Sequence, residues 1–193
     1  MTKDDDRRLP HPWCALLLED VDRILWRWHR RLRALYEARL PRDIAASKLW
    51  TLRMWHQLLN DGDMLGADLT ERHVNRSYYH AKCCVIDEVG KHEQYQNLPF
   101  LDFVEALVRA AEQKAIPSRA ELNEADPPAA SIVEFRHALD AAAITWDNWL
   151  VMRPPARAAP DASPLWFRVE QMFLLLFSRL EAKGLVKPAK GGK

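Results

Sequence analysis

Between Pro12 and Pro41, the apolar residues Leu17, Val21, Ile24, Leu25, Trp28, Leu32 and Leu35 recur at steps of three and four. At about 100° per residue they gather on one face, which predicts an amphipathic helix over 13–40. The flanking prolines fit its ends, because proline breaks a helix interior. The same period returns in Ile44, Leu52, Trp55, Leu58 and Leu59, and in Val74, Tyr78, Ala81 and Val85. It recurs in Phe100, Phe103, Val104, Leu107 and Ala111, and in Ile132, Phe135, Leu139, Ala142 and Trp146. Alternating Val/Ile/Thr runs are scarce, and there are six glycines in 193 residues. These patterns predict an all-α fold, a single-domain helical bundle of about five to six helices.

Boundaries follow from capping chemistry. Asp43 can cap a second helix that runs to about Leu59 and stops at Asn60-Asp61-Gly62-Asp63; Trp50 and Met54 give it a second apolar side. Asp68 with Glu71 forms a capping box for a third helix ending near Val89, with Gly90 past its end. Asn97 and Pro99 open a fourth. Ser118 with Glu121 signals a short turn of helix that ends at Asp126-Pro127-Pro128. Ser131 with Glu134 repeats the signal and starts a helix reaching about Met152. Residues 153–163 carry Pro154, Pro155 and Pro160 among alanines and read as a connector. Ser163-Pro164 then starts a last helix to Lys183, closed by Gly184. The apolar run Met172 to Phe177 is too short to span a bilayer, and its helix is apolar on two sides, as expected of one inserted between others. The domain is therefore expected to occupy 13–184. A flexible N-terminus, 1–12, precedes it, and a disordered basic tail, 185–193, follows with Lys187, Lys190 and Lys193.

The net charge is +1, so any electrostatic function must reside in local patches. The first helix holds one. From Arg23 to Arg42 there are seven arginines, Arg23, Arg27, Arg30, Arg31, Arg33, Arg39 and Arg42, against the single acid Glu37. Arg23, Arg27 and Arg30 point away from the apolar stripe, and Trp26 sides with them. An indole among guanidinium groups can stack on a base or anchor a protein partner. Trp28, Trp55, Trp146 and Trp149 lie on or beside apolar stripes and read as core, and Trp13 and Trp166 as first-turn packing. Trp26 and Trp50 are left as two rings on adjacent helices, which suggests an interface. Arginine outnumbers lysine 19 to 9, a bias that bidentate phosphate or carboxylate recognition and base composition both produce.

The third helix carries the one ligand-like group. His73, His80 and Cys84 line one flank near Asp87, and His80 with Cys84 has the i, i+4 spacing through which two side chains reach one zinc ion. Remaining ligands would come from His92, His56 or Cys83. The competing reading is a polar helix flank, because CxxC, HxxxH and HExxH are all absent. Cys83 or Cys84 as a nucleophile lacks an elbow or oxyanion turn. Asp61, Asp63 and Gly66 begin like a calcium loop, but Leu65 and Arg72 stand where oxygen ligands are needed. Cys14 and the adjacent Cys83 and Cys84 form no disulfide framework, and Met1 to Arg8 has no apolar segment; both point to a cytoplasmic protein.

The function expected from these residues is that of a non-enzymatic subunit or adaptor of a larger assembly, with protein partners and no membrane. Its arginine-rich face would contact a nucleic-acid backbone without sequence preference, or an acidic protein surface. A zinc protein built on His73, His80 and Cys84, with hydrolysis as the chemistry such a site would serve, is one alternative. An inhibitor or immunity-type protein binding one enzyme is another. Arginines paired among themselves with neighbouring acids, without a ligand, form the competing bland reading.

Overall fold

A computed structural model describes residues 18–40, 49–82, 90, 96–152 and 163–187. These contain eight helices rather than five or six. They are α1 (Glu19–Ala38), α2 (Leu52–Asp61), α3 (Glu71–Ala81), α4 (Phe100–Gln113), α5 (Arg119–Glu124), α6 (Ile132–Ala141), α7 (Trp146–Met152) and α8 (Leu165–Ala182). The all-α expectation holds: among the described residues the one β-type pairing is an isolated antiparallel bridge between Trp50 and Leu98. No helix among them is long and apolar enough to cross a membrane.

Helices α4 and α8 organise the core. Helix α4 packs against α3, α8 and α1, and α8 also meets α1, α6 and α2. This explains their composition. From Asp102 to Ala111 every residue of α4 is buried, with Ala106 and Ala110 small enough to let neighbours approach. On α8, Met172, Phe173, Leu175, Leu176 and Phe177 are all buried, as the two-sided apolarity predicted. Trp28 lies on Phe177 and edge-on to Phe173, which joins α1 to α8.

Several ends follow local chemistry as expected. Ser118 caps α5, its Oγ accepting from the Glu121 backbone N–H, while the Glu121 carboxylate accepts from the Ser118 backbone N–H. Ser131 caps α6. Gly184 takes φ 67 after α8, with the Gly184 N–H bonded to Glu181 O and the Leu185 N–H to Leu180 O.

Other boundaries differ from the sequence reading. Helix α2 starts from Thr51, whose side chain accepts from the Met54 N–H, not from Asp43. Trp50 is in extended pairing with Leu98, exchanging N–H···O bonds of 3.0 and 2.8 Å, so no helix runs through it; residues 41–48 lie outside the described set. Helix α3 begins after Thr70, with His73 Nδ1 accepting from the Thr70 N–H, and stops at Ala81 because Lys82 is extended at φ −67, ψ 127. Asp68 is therefore not its cap. The long helix expected over 132–152 is two. Ala143 adopts φ 55, the Ala143 and Ile144 N–H groups close back on Asp140 O and Leu139 O, and Thr145 Oγ1 accepts from the Asn148 N–H to start α7. The expected helix start at 13–17, most of the 153–163 connector and the end of the tail also lie outside the described residues.

Helix α2 ends in a close approach to α8. Asp63 takes the left-handed position at φ 51, and its carboxylate meets Lys183 at 2.7 Å. At Gly62 an added Cβ would stand 2.4 Å from Leu176 Cδ1, so any larger residue there requires the leucine side chain to shift. Asp61 pairs with Arg39 at 2.7 Å. The carboxylates that resembled the start of a calcium loop are thus engaged with basic side chains.

Candidate contact surface on the first helix

Helix α1 buries Val21, Ile24, Trp28, Leu32, Leu35 and Tyr36, which turns the remaining faces outwards. Most of its arginines are neutralised within the fold. Arg23 meets Glu19 at 3.1 Å and Asp20 at 3.4 Å. Arg27 pairs with Glu170 and Arg31 with Glu181, both acids from α8. The Arg31 guanidinium also lies 4.2 Å from the centre of the Phe177 ring and 4.9 Å from that of Trp28. Arg33 stacks 4.1 Å over Phe100 and stands 3.9 Å from Glu37. Among the described residues, Arg30 and Asp22 alone of the Asp, Glu and Arg side chains of α1 have no opposite charge within ion-pair distance.

Trp26 is 72% exposed, as its position off the apolar stripe predicted. Its ring leans on His29 at 5.9 Å. Beside it, a groove of about 730 Å³ runs between α1 and α4. Leu25, Trp26 and His29 form one wall and Pro99, Phe100 and Leu101 the other; Asp22 stands at one end and Arg33 at the other. Leu101 is itself 72% exposed. The sequence reading missed Leu101 and Phe100 as companions of Trp26. Leu101 could have been noticed as the leucine that falls off the apolar repeat of α4.

Trp50 does not join this surface. It is fully buried, its indole N–H donating to Tyr36 O at 3.0 Å and its ring packed on Tyr36 and Phe103. The expected pair of outer rings is a single ring. Burial places the Tyr36 phenol at a pKa of about 12, above the ordinary 10. Its hydroxyl donates to Leu98 O, and the Tyr78 hydroxyl to Trp50 O, which together lock the Trp50–Leu98 bridge.

The proposed metal ligands are not assembled among the described residues. His73 caps α3, His80 is exposed, and His56 bonds Asn75 at 2.7 Å. Helix α3 ends at Ala81, so of the expected His80 and Cys84 pair only His80 lies on it. Cys83, Cys84, Asp87 and His92 lie outside the described residues, which contain no group of three or more His, Cys, Asp or Glu able to hold a metal.

The other charged clusters are interior. Lys114, 2% exposed, donates to Asp68 Oδ2 at 2.8 Å and to Met64 O at 3.0 Å. Burial lowers its pKa, and the Asp68 carboxylate opposes that shift. Glu105 and Arg109 are buried one turn apart on α4, with Arg109 Nη2 2.7 Å from Glu105 Oε1. Burial raises the Glu105 pKa against the pull of Arg109. These pairs lie within the core and line none of the grooves described on the α1 face. The chain matches no protein-family model, no curated protein and no solved structure, so its functional reading rests on the residues of the α1 surface themselves.

Proposed function

We propose that this chain works by contact, as a helical subunit or adaptor, and that its contact face is the outer side of α1 with the adjoining edge of α4. The observation that carries the reading is Trp26, 72% exposed beside an equally exposed Leu101 on an apolar groove. Clustered large apolar groups on a water-facing surface mark recognition sites, and tryptophan is the residue most enriched where binding energy concentrates. The partner favoured is a protein surface. Arg23, Arg27 and Arg31 already hold carboxylates, so a phosphate backbone would have to displace those acids to gain their charge.

The test is a photo-crosslinking amino acid placed at Trp26 or Leu101 in living cells, with the exposed Arg53 on α2 as the control position. A discrete protein adduct from the first two positions and none from the third is the expected result. A nuclease-sensitive adduct would move the function to nucleic acid, and no adduct would overturn the contact reading.

A further inference from the structure

We infer that the occupant of this face is a second copy of the same chain, packed antiparallel across a two-fold axis through Trp26. The inference rests on the contact reading above and adds the identity of the partner.

Asp22, Trp26 and Arg30 stand at i, i+4 and i+8 on α1, and all three are exposed. Residues four apart form a continuous ridge on a helix, here spanning about 12 Å from acid to base at 1.5 Å per residue. The ridge carries one acid, one large ring and one base, in that order. Rotating a second copy by 180° about an axis through Trp26 sets Asp22 opposite the partner's Arg30, Arg30 opposite the partner's Asp22, and ring beside ring. This is the self-complementarity that an isologous interface requires: every favourable contact occurs twice. A random partner has no reason to match such a pattern. The two charges involved are the ones on α1 that the fold leaves unpaired among the described residues, while Arg23, Arg27, Arg31 and Arg33 have intramolecular acids near them. The two α1 side chains without an ion-pair partner among the described residues are thus opposite in sign and lie one on each side of Trp26.

The groove supplies the apolar part. It opens directly beside Trp26, between Leu25 and His29 on one wall and Phe100 and Leu101 on the other. Ridges of i±4 type interlock when helices cross at roughly −50°. In that crossing each Trp26 ring lies beside its partner's ring at the mouth of the two grooves, with each Leu101 at the edge of the contact. Burying an indole on each side of the two-fold removes the largest exposed apolar group of α1 from water.

The experiment is sedimentation equilibrium of the full chain, from submicromolar to hundreds of micromolar, for the wild type and four variants. The wild type should pass from its monomer mass of 22.4 kDa towards twice that mass as concentration rises. Trp26→Ala should weaken the dissociation constant at least about thirtyfold, as for a hot-spot residue present on both sides. Asp22→Arg alone, or Arg30→Asp alone, sets like charges opposite each other twice and should weaken it at least about tenfold. The double variant D22R/R30D inverts the pattern while keeping it self-complementary, and should restore the constant to within about threefold of the wild type. All these side chains are exposed, so far-UV circular dichroism should be the same for every variant. A monomer at every concentration overturns the inference, as does a dimer indifferent to Trp26→Ala or a double swap that fails to restore. A monomer that still crosslinks to another protein through position 26 overturns the second copy alone and leaves the contact reading standing. A monomer with no adduct at that position overturns both.

Discussion

Replacing Gly62 by alanine isolates the contact on which α2 and α8 close. Gly62 has φ −80 and ψ 3, a conformation open to any L residue, so the substitution carries no backbone strain. Alanine would even gain about 0.4–1 kcal/mol by restricting the unfolded chain. The opposing effect is steric. The new Cβ stands 2.4 Å from Leu176 Cδ1 and 3.2 Å from Met64 Cγ, and both are fully buried side chains that would have to shift within the packed core. Overpacking of that kind costs about 1–3 kcal/mol, so the net loss should be about 1–2 kcal/mol. Leu176→Ala alone should cost about 2–5 kcal/mol by leaving a cavity. Because it removes the clashing methyl, the double variant should be more stable than the sum of the singles by about 1–2 kcal/mol. Urea unfolding followed by circular dichroism measures all four corners of this cycle. A neutral or stabilising Gly62→Ala, or strict additivity with Leu176→Ala, would refute the close approach.

The interior chemistry gives three further expectations. Ala143 holds φ 55 between α6 and α7, so Ala143→Gly should raise stability by about 0.5–1 kcal/mol, seen as a higher thermal midpoint. Lys114→Met leaves the Asp68 carboxylate buried without its cation and should cost about 3–5 kcal/mol in urea unfolding, with much of that regained when Asp68→Asn is added. The folded pKa of Tyr36 lies at about 12, above its unfolded 10, because burial disfavours the phenolate. Below pH 10 both states keep the proton and its contribution is complete; as pH rises from 10 to 12 the unfolded state releases the proton first, and stability falls. Tyr36→Phe should flatten that alkaline fall in unfolding curves measured across the range, even though it forfeits the hydrogen bond to Leu98 O.

What could be read from the chain alone divides along a physical line. Ser118 with Glu121, Ser131 and Gly184 act on backbone groups within a turn of themselves, so their places were legible. Trp50 was not, because its position is set by backbone pairing with Leu98, far away in sequence, and no local spacing encodes that partner. The break at Ala143 was hidden for a related reason: the apolar stripe of α6 carries on through it at helical spacing while the backbone reverses into a left-handed residue. The α1 surface shows both sides of the division. Trp26 could be placed outside because its own helix buries Val21, Ile24 and Trp28 on the other side. The fate of the arginines could not, since Glu170 and Glu181 arrive from α8 at the far end of the chain. A run of cations in a sequence is a gross charge, whereas a partner meets the net charge left after the fold has paired what it can. Here that subtraction turns an apparently basic face into one acid, one ring and one base along a single ridge, a pattern that matches its own image better than it matches a polyanion.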